Sequence, residues 1–207
     1  SPDAMTEAEI RSYLHTEKMG KSLVCFADTD STNIQAKLLA EQNAPDGTLV
    51  CSDQQTKGRG RRGRAWDSPP GEAIYMSLLL RPDIHPEHAS MLTLVMGMAV
   101  ADAINELMGG ESAGIKWPND VVLKGKKVSG TLTEMSTEMD CIHYVVIGTG
   151  INVNTQKFPK ELDQATSLRL AAGHNFRRAE LIALCMKYFE KYYALFERTE
   201  DLSLLID

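Results

Sequence analysis

Glycine and arginine alternate in the segment Gly58-Arg-Gly-Arg-Arg-Gly-Arg64. Glycines let a backbone come close to a ligand and adopt positive φ, and arginine guanidinium groups bind phosphate oxygens through paired N–H donors. The pattern is typical of a clamp over a polyphosphate, with a solvated basic loop or an RNA-binding tail as alternatives. The RNA-binding tail is disfavoured because such tails usually repeat, whereas this segment occurs once, between two apolar stretches.

A lysine, an amide and a carboxylate surround one predicted turn, Lys116-Trp-Pro-Asn-Asp120. Turn formation alone also explains Asn119 and Asp120. Lys127 lies in the following predicted hairpin, where a solubilising charge is the simpler interpretation. Likewise, Gly148-Thr-Gly-Ile-Asn152 closes a predicted strand and is compatible with an ordinary turn.

The charge balance restricts the classes of function. The 207 residues carry a net charge of −6, yet five positive side chains fall between Lys57 and Arg64. One compact basic segment in an acidic protein favours a local anion site over a nucleic-acid-binding surface. Four cysteines without a Cys-x-x-Cys pair indicate reduced thiols and a cytoplasmic protein, and their spacing fits no zinc site. No apolar stretch appears long enough to span a membrane, and no signal peptide opens the chain.

Hydrophobic patterning predicts a single α+β domain. Strands are predicted at about 22–27, 48–52, 73–80, 121–123, 128 onward and 142–148, and helices at about 6–18, 34–43, 87–108 and 178–198, with 153–175 irregular. Since at least one strand pair forms a hairpin, we expect a mixed, mainly antiparallel sheet packed with helices. Residues 1–4 are interpreted as a cloning remnant and residues 5–207 as one domain.

Taken together, these segments closely resemble the catalytic domain of biotin protein ligases, also called biotin–[acetyl-CoA-carboxylase] ligases, over about residues 22–198. They occur in the family's order, and the arginine-rich segment followed by Lys116–Asp120 is highly specific. The resembling pieces are Asp30-Ser-Thr-Asn33, Gln55 with Gly58–Arg64, Lys116–Asp120, Lys126-Lys-Val-Ser-Gly130 with Leu132 and Glu134, Gly148–Asn152, and Ala165-Thr-Ser-Leu168.

The resemblance implies a class II aminoacyl-tRNA synthetase-like fold and an ATP-dependent ligase. Such enzymes bind biotin and Mg-ATP, form biotinyl-5′-AMP with release of pyrophosphate, and pass biotin to one lysine of a biotin carboxyl carrier protein domain of acetyl-CoA carboxylase. Mg²⁺ is expected with the ATP phosphates, and no protein ligand to a metal is assigned. Nucleic acid and membranes are not expected as partners, and a homodimer remains open.

The resemblance also implies roles for individual residues. Binding of biotin, with its ureido ring near the first three, is assigned to Ser31, Thr32, Gln55, Gly58, Arg59, Lys127, Gly130 and Leu132. Binding of ATP is assigned to Arg61, Arg64, Lys116, Asn119 and Asn152. Catalytic roles near the biotin carboxylate and the α-phosphate are assigned to Arg59, Arg61 and Lys127. A catalytic role is also expected for Asp120, which is the nearest carboxylate by motif, as the group that accepts or orients the proton of the attacking carrier lysine. Trp66 is expected to pack against the closed arginine-rich loop.

The chain departs from the family pattern at a few points. Thr131 stands where the family often has isoleucine, beside the positions assigned to the biotin pocket. No helix-turn-helix domain precedes residue 20, so no repressor role is expected, and the family's small SH3-like C-terminal domain is not in this chain.

Three other functions are weighed against the ligase. A lipoate–protein ligase shares the fold, but an apolar acyl pocket has no need of Ser31, Thr32 and Gln55. A non-catalytic sensor of biotin or its adenylate is disfavoured because the chain retains all four residues with expected catalytic roles, Arg59, Arg61, Lys127 and Asp120. An RNA-binding module is disfavoured because only 6% of the residues are aromatic and they form no stacking pattern.

Overall fold

The computed structural model describes Asp3, residues 5–57 and residues 69–206, which form one seven-stranded sheet with helices on both faces. The strands are β1 (Leu23–Thr29), β2 (Thr48–Gln55), β3 (Ala73–Leu80), β4 (Ala113–Lys116), β5 (Asp120–Leu123), β6 (Lys126–Glu138) and β7 (Cys141–Asn152). The helices are α1 (Glu7–Tyr13), α2 (Thr32–Glu41), α3 (Met91–Met108), α4 (Leu168–Ala172) and α5 (Arg178–Thr199). The predicted α+β class is confirmed.

The sheet is antiparallel except at one edge. Its strand order is β1-β2-β3-β7-β6-β5-β4, and only β1 and β2 run parallel. The short strand β5 pairs with the first part of β6, Lys126–Gly130, whereas β7 pairs along β6 as far as Glu138. In the described part of the chain, therefore, the second half of β6 is paired on one side only.

The two faces of the sheet are covered very differently. Helices α1, α3 and α5 bury a large apolar core on one face, with fully buried side chains such as Leu92 and Phe189. On the other face α2 packs through the small side chains of Ala36 and Ala40 against a cluster that includes Val146. Small residues let the helix come close to the strands, and this closeness brings the polar start of α2 against the sheet.

The predicted helix is confirmed as α2, but its large apolar side chains are not the ones it buries most deeply. Leu39 packs only in part against the apolar cluster, and Leu38 is 52% exposed. The buried positions are Thr32, Asn33, Ala36 and Ala40. Hydrogen bonds rather than apolar contacts stabilise the first turn. The pattern of hydrophobic residues in the sequence does not predict such hydrogen bonds.

Two further sequence predictions are wrong in detail. Residues 168–172 were expected to be irregular but form α4, whose first turn is capped by Ser167 Oγ, 3.1 Å from the Leu170 nitrogen. A helix of one turn is too short to produce a periodic pattern. The long helix expected from residue 87 begins only at Met91, after a 3-10 turn at Pro86–His88.

The expectation that no stretch is long and apolar enough for a membrane span is also corrected. Among the described residues, the segment Pro86–Met108 meets that criterion by length and composition alone. In this fold, 56% of its most apolar window is buried, and α3 packs against the sheet and α5. Core helices meet the same criterion, so this segment is weak support for a membrane role.

A buried arginine joins the ends of several elements. Arg178, at the start of α5, is 1% exposed. Its Nη1 donates to Asp53 Oδ1 at 2.6 Å and to the carbonyl oxygen of Ala73 at 2.9 Å, and its Nε donates to Asp3 Oδ2 at 2.8 Å. Asp53 Oδ1 also accepts from the nitrogen of Gly71 at 2.9 Å. The guanidinium group therefore fixes the end of β2 relative to the start of β3.

We expect replacement of Arg178 by methionine to lower the free energy of unfolding by roughly 3 kcal/mol, the lower end for a broken buried ion pair. The lower end applies because Asp53 is 26% exposed and can be partly hydrated. Urea denaturation would measure the change. The matched control is Arg177→Met at the exposed neighbouring position, where we expect almost no effect. Equal losses in the two variants would contradict the assignment.

Candidate functional site

Three glycines lie together on the face of the sheet that α2 covers only in part. Gly130 of β6 pairs with Gly150 of β7, and Gly148 of β7 pairs with Ser77 of β3. Directly opposite residues point to the same face, so these glycines form a floor without side chains, called here the glycine trough. Among the described residues, a Cβ on Gly150 would meet only the oxygen of Ile74, at 3.9 Å. The trough is therefore open to a ligand at its centre.

Helix α2 begins at one end of the glycine trough. Ser31 is its N-cap, and Asp30 Oδ1 accepts from the Ser31 nitrogen at 2.6 Å and from Gln35 Nε2 at 3.1 Å. Both hydrogen bonds stabilise the ionised carboxylate and lower the pKa of Asp30 below its usual value, and the bond from the Gln35 amide has the larger effect. These bonds fix the polar first turn of the helix against the trough.

Thr32 connects this turn to the neighbouring strands. Its N–H donates to Gln55 Oε1 at 2.8 Å, and its Oγ1 lies 3.2 Å from the same oxygen and 2.7 Å from Ser77 Oγ. Thr32 and Ser77 are buried, whereas Gln55 is half-buried. Within the described residues Gln55 Nε2 has no hydrogen-bond acceptor, so it is available to a ligand.

Asn33 extends the hydrogen bonds across the sheet. Its Oδ1 lies 2.5 Å from Ser77 Oγ, and its Nδ2 donates to Glu134 Oε1 at 2.9 Å. Glu134 Oε2 pairs with the Lys37 ammonium group. The Asn33 side chain also rests on Gly148, because a Cβ there would lie 2.2 Å from Asn33 Oδ1. Only glycine at this position leaves room for the asparagine.

An ion pair occupies the other end of the glycine trough. Lys127 Nζ lies 3.3 Å from Asp120 Oδ1, and a Cβ on Gly130 would be 3.1 Å from the same ammonium. The Lys127 side chain is 52% exposed, and a pair this exposed contributes little stability. Lys116 lies directly opposite Asp120 on the same face. This end therefore presents positive charge that an anionic group can reach.

A short segment fixes the backbone of Lys127. The Lys127 nitrogen donates to the Gln164 oxygen at 2.8 Å, and the Thr166 nitrogen donates to the Lys127 oxygen at 2.8 Å. Asn152, at the end of β7, donates through Nδ2 to the Thr166 oxygen at 3.2 Å. The Ala165–Leu168 piece of the resemblance thus acts in this structure by positioning Lys127.

Asn119 and Thr131 lie outside the floor of the trough. Asn119 Nδ2 donates to the Thr131 oxygen at 3.2 Å, and the Thr131 nitrogen donates to the Asn119 oxygen at 3.0 Å. Asn119 and Leu132 also line an open cavity of about 360 Å³ at the edge of β6. Thr131 is 5% exposed and faces the opposite side of the sheet from Gly130, so any effect on ligand choice is indirect.

The structure thus brings several residues of the sequence prediction to one surface. The polar end holds Ser31, Thr32 and Gln55, and the charged end holds Lys116, Asp120, Lys127 and Gly130, with Asn152 nearby. Their ligand-binding and catalytic roles remain predictions. Five residues with predicted roles lie outside the described residues, namely Gly58, Arg59, Arg61, Arg64 and Trp66.

Comparison with known proteins decides the family. A model of the biotin/lipoate A/B protein ligase family matches residues 24–152, which is more than half of the chain. The chain belongs to this family. The matched region runs from β1 to the end of β7, so it includes both ends of the glycine trough. The resemblance inferred from the sequence is confirmed.

Individual relatives are similar over most of this chain. The bifunctional ligase/repressor BirA of Bacillus subtilis is 48% identical over 195 residues, which are 93% of this chain and 60% of the relative. The biotin–[acetyl-CoA-carboxylase] ligase of Mycobacterium tuberculosis is 37% identical, over 79% of this chain and 61% of the relative. The chain therefore spans about 60% of the length of these curated relatives.

A solved structure supports the same family and fold. It is the biotin protein ligase from Aquifex aeolicus in complex with biotin and ATP, 36% identical, with a TM-score of 0.72. The match covers 86% of this chain and 73% of that one. The predicted biotin ligase-like fold is thereby confirmed.

Sequence reasoning gave no role to four residues that organise the polar end. Asn33 and Glu134 stand inside the resembling segments, but their mutual contact spans 101 positions and leaves no local pattern. Ser77 lies in an apolar strand and Lys37 on a helix surface, where each resembles an ordinary residue. The one available signal was a serine interrupting the apolar run of β3.

We expect Gly148→Ala to lower the free energy of unfolding by about 1–3 kcal/mol, since the new methyl group overlaps Asn33 and forces local repacking. Chemical denaturation would measure it. Gly114→Ala on β4 is the control, because a Cβ there meets nothing within 4 Å among the described residues. A Gly148 variant as stable as the Gly114 variant would show that the Asn33 contact is not tight.

Proposed function

We propose that this chain is a biotin protein ligase domain that forms biotinyl-5′-AMP from biotin and Mg-ATP and then transfers biotin to a lysine of a biotin carboxyl carrier protein domain. The observation that carries the proposal is the glycine trough, with uncharged hydrogen-bonding groups at one end and the Lys127–Asp120 pair at the other. Family membership and the biotin and ATP named in the related structure support it.

The two ends of the trough match the two ends of biotin. The ureido ring is uncharged and carries N–H donors beside a carbonyl acceptor, which suits Ser31, Thr32 and Gln55. The valerate chain ends in a carboxylate, which suits the exposed ammonium group of Lys127. The glycine floor between them lets a flat, apolar middle lie against the backbone without displacing side chains.

The first step needs positioning more than proton transfer. The carboxylate of biotin is already ionised near neutral pH, so one of its oxygens attacks the α-phosphorus of ATP directly and pyrophosphate leaves. Two anions must be held together in line, and cations placed where charge develops lower the barrier. Lys127 supplies one such cation, and Arg59 and Arg61 are proposed to supply the others.

Mg²⁺ is proposed to enter with the ATP phosphates as part of the substrate. The described residues contain no group of three His, Cys, Asp or Glu side chains arranged to hold a metal ion. Phosphate oxygens and water are ordinary ligands for Mg²⁺, so such a group is not required. We also propose a cytoplasmic location, which the four free thiols favour.

The second step requires a neutral amine on the attacking carrier lysine. The amine attacks the carbonyl carbon of the adenylate, AMP leaves, and the amine gives up a proton. Asp120 is the carboxylate at the charged end of the trough, 3.3 Å from Lys127 Nζ. We propose that Asp120 accepts or orients that proton while Lys127 contacts the departing phosphate.

The carrier is proposed to dock along the open half of β6. This edge begins beside Asp120, where pairing with β5 ends, and it carries the exposed side chains of Met135 and Met139 nearby. Strand addition gives main-chain hydrogen bonds to a partner. We propose that a homodimer, if one forms, uses the same open edge of β6 in both copies of the chain.

The polar end of the trough weighs against the alternative acids. The dithiolane ring of lipoate has no carbonyl group, so Gln55 Nε2 would find no acceptor on it. A polar group that a bound ligand shields from water and leaves unpaired is costly, which disfavours lipoate. A sensor of biotin or its adenylate would bind equally well and differ only in turnover.

The deciding experiment is ATP–pyrophosphate exchange by this chain with biotin, with lipoate, or without an acid. We expect exchange that depends on biotin. Thermal stabilisation by biotin without exchange would favour the sensor, and exchange with lipoate alone would overturn the choice of substrate. Transfer to a purified carrier domain, detected by the mass gained on its lysine, tests the second step.

We expect Asp120→Asn to slow transfer from preformed biotinyl-5′-AMP by roughly 100-fold, the lower range for loss of a general base. Adenylate formation should change much less, because its nucleophile is already ionised. Both steps are measured on the same protein sample, so each is the other's control. A normal transfer rate would remove Asp120 from the proposed mechanism.

A further inference from the structure

Two of the four cysteines lie side by side on neighbouring strands. The register of the parallel pair β1 and β2 places Cys25 directly opposite Cys51, and both side chains pack into the apolar core on the α1 and α5 face of the sheet. Neighbouring strands are about 4.8 Å apart, within the range of roughly 4.4–6.8 Å between the Cα atoms of disulfide-bonded cysteines. The backbone therefore allows a bond between the two sulfur atoms.

The two thiols already form a hydrogen bond, and it makes them unequal. The S–H of Cys51 donates to the sulfur of Cys25, and this bond is the main cause that lowers the pKa of Cys25 and raises the pKa of Cys51. Burial adds to the rise at Cys51 and only partly offsets the fall at Cys25, on which Glu7 and Arg11 of α1 act in opposite directions. Since the thiolate is the nucleophilic form, Cys25 is the more reactive of the pair.

Access to the two thiols follows the same order. Cys25 is partly exposed on β1, the outermost strand of the sheet, which in the described part of the chain pairs only with β2. Cys51 is 0% exposed, so its sulfur reacts with a group that is already beside it rather than with a dissolved molecule. One thiol is therefore placed to meet an oxidant, and the other is placed to complete the reaction.

We propose that Cys25 and Cys51 form a reversible oxidation site for peroxides, with Cys25 reacting first and Cys51 closing a disulfide between β1 and β2. The site lies outside the glycine trough and shares no residue with the proposed ligase chemistry. It is therefore a property of the chain in addition to its proposed function, and it can be tested without biotin.

The oxidation has two steps. The Cys25 thiolate attacks one oxygen of hydrogen peroxide, the O–O bond breaks, and Cys25 becomes a sulfenic acid while hydroxide leaves. The sulfur of Cys51 then attacks the Cys25 sulfur, the S–O bond breaks, and the departing hydroxyl group takes the Cys51 proton and leaves as water. The hydroxide of the first step recovers the proton that Cys25 gave up. The two sulfur atoms thus lose two electrons together, and both peroxide oxygens end as water.

The strand geometry keeps this disulfide easy to reduce. Side chains on one face of parallel neighbours leave their strands in the same direction, so the two Cβ atoms are also about 4.8 Å apart, whereas a disulfide needs roughly 3.5–4.5 Å. The edge strand β1 must therefore be drawn towards β2, and a disulfide formed under strain is more readily reduced. Transient disulfides of this kind are compatible with the cytoplasmic location proposed above.

The experiment treats the reduced full chain, at low protein concentration, with increasing amounts of hydrogen peroxide. We expect the first reaction to remove two of the four free thiols and, by intact mass, two hydrogen atoms per chain. After the remaining thiols are alkylated, digestion without reductant should release one pair of peptides linked through Cys25 and Cys51. Dithiothreitol should then restore all four thiols.

Substitutions separate the roles of the two thiols. Cys51→Ala removes the second thiol, so peroxide should leave Cys25 as a sulfenic acid that a cyclic 1,3-diketone traps, and more peroxide should oxidise it irreversibly. Cys25→Ala should leave Cys51 reduced at the same peroxide concentration. The controls are Cys141→Ser, at an exposed thiol, and Cys185→Ala, at the other buried thiol, and each should form the bridge as the native chain does.

Three results would overturn the inference. Oxidation of Cys141 while Cys25 and Cys51 both stay reduced would show that the pair is not an oxidation site. A bridge from Cys51 to Cys185 in place of Cys25 would place the site elsewhere. Oxidation of Cys25 in the native chain without a bridge would show that the strand spacing does not allow the bond. A lack of biotin-dependent exchange, in contrast, would overturn the proposed function and leave this inference unaffected.

Discussion

The side chain of Asn33 rests on the backbone of Gly148, and the polar side of the sheet is arranged around this contact. The asparagine amide is buried there, so both of its ends must be hydrogen-bonded. Ser77 satisfies the oxygen and Glu134 the NH₂ group. One close approach between a helix and a glycine thereby connects α2, β3, β6 and β7, and a fully satisfied polar network of this kind is rigid.

The same contact explains why α2 has so small an apolar face. Ala36 and Ala40 are the residues that pack against the sheet, and larger side chains would hold the helix too far away for Asn33 to reach Gly148. On the other face of the sheet the buried side chains are large, and phenylalanine, leucine and methionine residues fill a thick core beneath α3 and α5. Stability is therefore concentrated on one face, which leaves the other free to hold polar groups close to a ligand.

Much of the fold was predictable because its elements are locally regular. The strand predicted from the near-continuous apolar run between Ala73 and Leu80 is confirmed, and so is the helix predicted from the apolar stripe of α5. The polar end of the trough was predictable only in part. Thr32 and Gln55 belong to specific motifs, whereas Ser77 acquires its importance from a residue 44 positions away. Arg178 was missed because a buried cation is recognisable only when its distant carboxylates are seen.

Asp53 accepts hydrogen bonds from both Arg178 and Gly71, so the chain leaves β2 and returns to β3 at points joined through one carboxylate. Closing a loop costs entropy because its two ends must be brought together. This entropy cost grows only slowly with the number of residues in the loop. With both ends held by the scaffold, changes in the length or composition of the intervening sequence bear little on folding. That stretch contains the arginines proposed to bind phosphate, and it is accordingly a place where evolution or engineering can change the sequence while the sheet stays the same.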